Sequence, residues 1–171
     1  GLAEPLKAAG NYEILRRMGK ADGRVLNNLG DIYLAQEMRD LALEAYLESL
    51  KADPNQDIAR PVREAEMLAN RGAMLEAIGL LARIEANYGE RIEPVIRLKM
   101  LRLKARGLMS AGEDAAAAKT LEQLVEEDPL DGESLLLLAH YYGRTEPPQV
   151  EKAEVLYQRA AEIDATRFKA R

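Results

Sequence analysis

The sequence predicts an all-α protein that consists of repeated pairs of antiparallel helices. Alanine, leucine and glutamate, which are strong helix formers, dominate the composition. Apolar residues recur at spacings of three and four, as on one face of an α-helix. Small residues and turn residues also return at the same places about every 34 residues, a period typical of stacked helical repeats.

Composition excludes several kinds of site. The 171-residue chain has no cysteine, which excludes disulfides and thiolate metal sites. No apolar run approaches the ~20 residues that a membrane-spanning helix needs. The net charge of −5 argues against nonspecific nucleic-acid binding. The chain begins with Gly and has no signal-peptide pattern, so we expect a trimmed or processed form, and no motif indicates a compartment.

The best-defined helix pair covers residues 23–56. A break at 37–40 separates two helical patterns, and Pro54 ends the second because proline lacks an N–H and disfavours helix in the residue before it. The first pattern has an apolar or small stripe at Leu26, Leu29, Gly30 and Tyr33, and the second has one at Ala42, Leu43, Tyr46, Ser49 and Leu50.

This pair resembles a tetratricopeptide repeat (TPR) in six residues, with Leu and not Trp at the first large position. The residues are Leu26, Gly30, Tyr33, Ala42, Tyr46 and Pro54. The resemblance implies a right-handed α-solenoid in which each pair buries its apolar face by stacking on its neighbours. It also implies a concave groove, lined by the first helix of each pair, that holds partner peptides.

The rest of the chain repeats this unit. Residues 1–22 form a leading helix in the place of a preceding repeat's second helix, and Ala-Asp-Gly at 21–23 is interpreted as its stop and turn. The second repeat covers 57–91, with Ala65 and Leu68 in the places of Gly30 and Tyr33. Gly72 marks its internal turn, and Gly89 is its C-cap.

The third repeat covers 92–131, and its first helix is extended by more than a turn. The fourth covers 132–165, with Leu135, Ala139 and Tyr142 in the first helix and Ala153, Tyr157 and Ala160 in the second. Its internal turn is longer by about two residues. Residues 166–171 are a tail that begins another helix or packs as a cap.

No catalytic constellation is found, so we expect a chain that is not an enzyme and needs no cofactor or metal. His140 is the only histidine, and a lone histidine without cysteine makes no metal cluster. It is interpreted as part of the groove wall. The acidic run 126–128 is interpreted as a solvated helix end, and no glycine-rich phosphate loop occurs.

A basic helix face is the first candidate binding feature. Lys99, Arg102 and Arg106 share a face and could hold a carboxylate; alternatively they pair with acids on adjacent helices, such as Glu66 or Glu133. The peptide-carboxylate clamp known in the family is incomplete: Asn28 occupies one plausible place, but the following repeats offer Val62 with Arg63 and then Arg102 with Leu103. Recognition of a chaperone tail is therefore not expected.

The second feature is the run Leu136–Leu138. Leu135 and Leu138 serve the core, so Leu136 and Leu137 are expected to face the groove and bind an apolar anchor. Alternatively, the tail with Phe168 or a second copy of the chain covers them. The candidate groove residues are Asn28, Arg63, Lys99, Arg102, Arg106, Leu136, Leu137 and His140.

These features predict a noncatalytic protein–protein interaction scaffold that binds a peptide or protein segment in its groove. The alternative is a structural spacer or dimerisation segment of a larger protein, with a self-filled groove or a homodimer. No nucleic-acid partner is expected, because the chain is acidic and its groove lacks aromatic residues on which bases could stack.

Overall fold

The structure, a computed structural model, describes the backbone of residues 3–169 and the side chains of residues 7–164. Within that part of the chain it is all-α, as predicted, and a 3-10 turn at Gly89–Arg91 follows the fifth helix. The helices are α1 (Ala3–Arg17), α2 (Gly23–Ala35), α3 (Arg39–Ala52), α4 (Ala59–Asn70), α5 (Met74–Tyr88), α6 (Pro94–Ser110), α7 (Asp114–Glu127), α8 (Gly132–Arg144) and α9 (Val150–Lys169).

The chain divides into two compact units, residues 1–96 and 97–171. In the first unit, α2 packs on α3 and α4 packs on α5, and α3 also contacts α5. In the second unit, α8 packs on both α7 and α9. The helix pairs fall where the sequence analysis expects them, whereas the limits of the individual repeats stay a prediction.

Small residues allow the two helices of a pair to approach each other closely. A Cβ atom added to Gly30 in α2 would lie 2.4 Å from the ring of Tyr46 in α3, and that ring is fully buried. The equivalent positions are all buried: Ala65, Ala105 and Ala139 in the first helices, and Ala42, Ala77, Ala117 and Ala153 in the second. The small residues that the sequence analysis places at these positions are therefore buried in every repeat.

Two residues are exposed although helix spacing predicts packing for both: Tyr157 on α9, and Met18 in the pattern of Leu6, Ala9, Tyr12, Leu15 and Met18 on the leading helix. Tyr157 is 44% exposed, although it occupies the place of Tyr46, because no helix among the described residues packs on that side of α9. Leu156 and Ala160 provide the core contacts of α9 instead. Met18 is 56% exposed because α1 has already ended at Arg17.

Helix α1 is attached to the first pair by a small apolar contact and by ion pairs. Ala9 packs with Leu29 and Ala45. Arg16 binds the Glu48 carboxylate at 2.7 and 2.8 Å, and its guanidinium also reaches Glu44 at 3.3 Å. Charged contacts thus compensate for the weak amphipathic pattern of this helix.

The predicted stop and turn at 21–23 is wrong in detail. Gly19, with a φ of 65°, makes the turn after α1. Asp22 is the N-cap of α2, and its carboxylate accepts a hydrogen bond from the N–H of Val25 at 2.8 Å, so the helix already starts at Gly23. A larger residue at Gly23 would be crowded, since an added Cβ would lie 3.2 Å from the Cβ of Asp53.

The two predicted length differences are present. Helix α6 has 17 residues, against 13 in α2 and 12 in α4. Residues 145–149 connect α8 to α9, whereas the shorter segments 36–38, 71–73 and 111–113 connect the other pairs. Residues 166–169 continue α9 and do not begin another helix, and residues 170–171 lie outside the described part.

The turns inside the first three pairs each contain one left-handed residue. Gly72 (φ 77°) and Gly112 (φ 75°) have this conformation, as predicted for turn glycines, and Glu37 (φ 60°) has it in the first pair. In all three turns the following N–H bonds back to a carbonyl in the last helical turn, at 2.9 Å. A residue with a Cβ is strained in this region, so Glu37 is the unfavourable member of the series.

We expect Glu37→Gly to raise the free energy of unfolding by roughly 1 kcal/mol, because it relieves this strain. Urea denaturation measures the change. The matched control is Ala35→Gly, which places a glycine in the last turn of α2 and should lower the free energy by roughly 1 kcal/mol. A Glu37→Gly variant no more stable than wild type would contradict the assignment.

Candidate protein-interaction site

A pocket of about 170 Å³ lies in the second unit, between α7 and α8 and beside the C-terminal end of α6. It contains two of the residues that the sequence analysis selected, Leu137 and His140. Its complete lining is Met109, Asp114, Ala117, Ala118, Leu121, Leu137, His140, Tyr141, Arg144 and Thr145.

The pocket has an apolar floor and a polar rim. Leu137 is partly buried and packs against the core that contains Ala118 and Leu121. His140 and Arg144, one turn apart on α8, are exposed at the rim. Such a site can enclose an apolar side chain while the rim hydrogen-bonds to the polar groups beside it.

The far wall of the pocket is fixed by aromatic packing. Tyr141 contacts Tyr142 edge to face, with ring centroids 5.4 Å apart, and Tyr142 is buried. The hydroxyl of Thr145 donates a hydrogen bond to the carbonyl of Tyr142 at 2.9 Å, which holds the chain as it leaves α8. The wall is therefore preorganised for binding.

Leu136 does not line this pocket, although it was expected to face the same groove. Its side chain is 43% exposed on α8. The predicted alternative, in which Phe168 covers Leu136, concerns a side chain that lies outside the described residues. The described part of the chain leaves Leu136 accessible.

The basic face of α6 is partly occupied by acids of the same unit. Arg102 binds Asp131 at 2.9 Å and Asp128 at 3.0 Å. The expected pairing with nearby acids thus occurs for Arg102, but with these residues and not with Glu133. Both aspartates lie in the connection between α7 and α8. Lys99 and Arg106 are also exposed on α6.

Asp131 has a structural role as the N-cap of α8. It accepts hydrogen bonds from the N–H of Ser134 at 3.4 Å and from the Ser134 hydroxyl at 3.0 Å. Burial raises the pKa of Asp131, but the hydrogen bonds from Arg102 and Ser134 outweigh burial and hold its pKa below the usual value. Arg102 therefore stabilises the start of the helix that carries the pocket.

Asn28 and Arg63 lie in the first unit and are not brought together by a direct contact. The side-chain oxygen of Asn28 accepts a hydrogen bond at 3.5 Å from Arg60, one helix turn before the exposed Arg63. Arg60 also lies 3.8 Å from Asp31, whose carboxylate accepts the hydroxyl hydrogen bond of Tyr46 at 2.9 Å. This polar group links α2, α3 and α4.

Glu64 is the buried member of this polar group. Only 3% of it is exposed, and its Oε1 accepts a hydrogen bond from Arg60 at 3.0 Å while the buried Oε2 has no hydrogen-bond partner. Burial raises the pKa of Glu64 to about 7; Arg60 opposes this rise, and the nearby Asp31 adds to it. The carboxylate is thus destabilised where it stands.

The sequence analysis missed Glu64, although a clue was available. Because Ala65 matches Gly30, Glu64 takes the place of Leu29, which is fully buried. A charged residue at an aligned core position indicates a functional or strained site. Asp131 was also missed, although an aspartate three residues before Ser134 at the start of a helix is a capping pattern.

Between residues 3 and 169, no helix is long and apolar enough to cross a membrane. Among the side chains of residues 7–164, no group of three or more His, Asp or Glu is placed to hold a metal ion.

Stability should fall as pH rises through the pKa of Glu64. A raised folded-state pKa favours the protonated form, so this contribution is complete below the ordinary value of 4.5 and is lost as the pH passes about 7. Between ~pH 5 and ~pH 8 wild type should lose about 2 kcal/mol from this group, and Glu64→Leu should remove that loss.

Urea denaturation at both pH values measures the difference between wild type and variant. Glu66→Leu removes a carboxylate from a partly buried position on the same helix and should keep the wild-type pH dependence. If Glu64→Leu also keeps it, the assigned environment of Glu64 is wrong.

Comparisons with known protein families and solved structures agree with this architecture. Residues 23–56 match the sequence profile described as tetratricopeptide repeat. No curated protein sequence matches this chain significantly.

Solved structures match almost the whole chain. A crystal structure of MamA has a TM-score of 0.63 and 16% identity over 94% of this chain and 89% of that chain. The MamA RS-1 ArsTM double mutant has a TM-score of 0.62 and 15% identity over 95% and 86%. YrrB, described as a TPR protein with an unusual peptide-binding site, has a TM-score of 0.57 and 18% identity over 94% and 78%.

The match of the first helix pair and the similarity to these structures support the same conclusion. Residues 23–56 are a tetratricopeptide repeat, and the chain has the α-solenoid fold of tetratricopeptide-repeat proteins.

Proposed function

We propose that this chain is a noncatalytic interaction scaffold that holds an apolar side chain of a partner's peptide segment in the pocket of Leu137 and His140. The observation that carries the proposal is the combination of an apolar floor with an exposed polar rim on α8. Complete burial of a leucine-sized anchor there would contribute about 1.5–3 kcal/mol.

The rim supports recognition of a peptide over a free apolar molecule. His140, Arg144 and Asp114 offer both donors and acceptors around the opening, which is what a peptide backbone on either side of a buried anchor requires. Preorganised walls lower the cost of ordering on binding. YrrB, which has a similar fold, has a peptide-binding site, and we extend this class of partner to the present chain.

The fold also supports this function. Stacked helix pairs use their small and apolar residues for packing. The solvent-facing sides of the first helices are therefore available for a partner. The second candidate function is a homodimer through α8, and the exposed Leu136 next to the pocket favours it. Light scattering over a range of concentrations separates the two, since the dimer forms by mass action.

The pocket is tested with peptides selected from a random library for binding to the wild-type chain. Met109 is 40% exposed and lines the pocket, so Met109→Glu should weaken a selected peptide by about tenfold or more by placing a charge beside the anchor. Replacing the peptide's apolar anchor by alanine should weaken binding similarly. Fluorescence anisotropy measures both dissociation constants.

Leu136→Glu is the matched control, because Leu136 is equally exposed but does not line the pocket. It should leave peptide affinity unchanged. Equal losses in the two variants, or none in Met109→Glu, would contradict the pocket as the binding site.

A further inference from the structure

A second groove, of about 630 Å³, lies in the second unit between α7, α8 and α9. It shares no lining residue with the pocket described above. Its lining is Glu122, Val125, Glu126, Leu138, Tyr142, Glu151, Lys152, Val155 and Leu156.

Apolar side chains from all three helices form the floor. Leu138 and Tyr142 lie one turn apart on α8, and both are buried. Val155 on α9 is 55% exposed and forms an apolar side of the opening. The groove therefore presents a narrow apolar strip, in which Val155 is the accessible part and Leu138 and Tyr142 form the buried floor.

Tyr142 is held rigidly beneath the opening. Its hydroxyl donates a hydrogen bond to the carboxylate of Glu122, and the ammonium group of Lys152 lies 4.8 Å from its ring centroid. Burial, followed by the bond to Glu122, raises the pKa of Tyr142 to about 12. The tyrosine thus stays a donor at neutral pH.

The rim carries mainly negative charge, on both sides of the apolar strip. Glu122 and Glu126 are one turn apart on α7, and Glu151 lies on α9, one turn before Val155. Lys152 is the only base in this lining, and its charge is directed over the tyrosine ring. Two carboxylates on α7 and one on α9, with the apolar strip between them, complement a helix that has a leucine stripe flanked by basic residues.

We propose that this groove docks a cationic amphipathic helix of a partner protein. Apolar side chains of the partner would pack on Leu138, Tyr142 and Val155, while its lysines or arginines would face Glu126 and Glu151. The charges would contribute mainly to the association rate and to the choice of partner. An anionic lipid surface would be repelled by the same carboxylates, which favours a protein partner.

The proposal goes beyond the proposed function, because it concerns another surface and another class of ligand. Both surfaces belong to α8, but their residues differ, so a partner could bind one and not the other. Variants of one surface therefore test binding at that surface alone.

The test uses a synthetic amphipathic helical peptide of leucine and lysine and, as the counter-probe, the same peptide with every lysine replaced by glutamate. The variant Glu126→Lys/Glu151→Lys should raise the dissociation constant of the lysine peptide by about tenfold or more and flatten its salt dependence. Val155→Asp, at an exposed position, should also weaken binding. Isothermal titration calorimetry measures affinity at two salt concentrations.

The matched control is Glu127→Lys/Glu154→Lys, which makes the same charge change at exposed positions of α7 and α9 outside the lining. It should change affinity by no more than about threefold, because exposed charges away from the contact are screened. An equal loss in this control, tight binding of the glutamate peptide, or no binding of the lysine peptide would overturn the proposal. So would a loss caused by Met109→Glu with none caused by the groove variants.

Discussion

The close approach of α2 and α3 at Gly30 is the constraint on which the first helix pair depends. Tyr46 fills the space that a side chain at position 30 would need, since an added Cβ would lie 2.4 Å from its ring. The other pairs place alanine at this position and, in repeats two and three, leucine in the place of Tyr46. The residues at positions 30 and 46 are thus complementary in size. Their identities differ between repeats, while the packing of the two helices is kept.

Packing on these inner positions leaves the outer faces free to vary. In the second unit, α8 uses Leu135 and Ala139 for the core and presents Leu137 and His140 to the pocket and Leu138 and Tyr142 to the floor of the acidic groove. One helix can therefore support two different binding surfaces. The N-cap formed by Asp131, held in turn by Arg102, fixes the start of this helix and with it the position of both surfaces.

The fold could be predicted from the sequence because it follows from local spacing: stripes at three and four, small residues at repeated places, and turn residues between them. The site was predictable only in part. Leu137 and His140 follow from helix periodicity, whereas Asp114 joins them through a contact between α7 and α8 that spacing does not reveal. The sequence analysis did not predict Asp128 and Asp131 as the partners of Arg102. Several acids are within reach of a long side chain, and only the fold selects among them. The predicted packing of Tyr157 was wrong because burial depends on a neighbouring helix.

The most direct test of this account is a double-mutant cycle at Gly30 and Tyr46, measured as the free energy of unfolding. Gly30→Ala should cost roughly 1–3 kcal/mol by overpacking, although alanine is the better helix former. Adding Tyr46→Leu recreates the Ala65 and Leu81 combination of the second repeat, so the alanine substitution should cost far less in that background. If Gly30→Ala is neutral or stabilising by itself, as expected at Gly10, where an added Cβ meets nothing within 4 Å, the close approach does not control this pair.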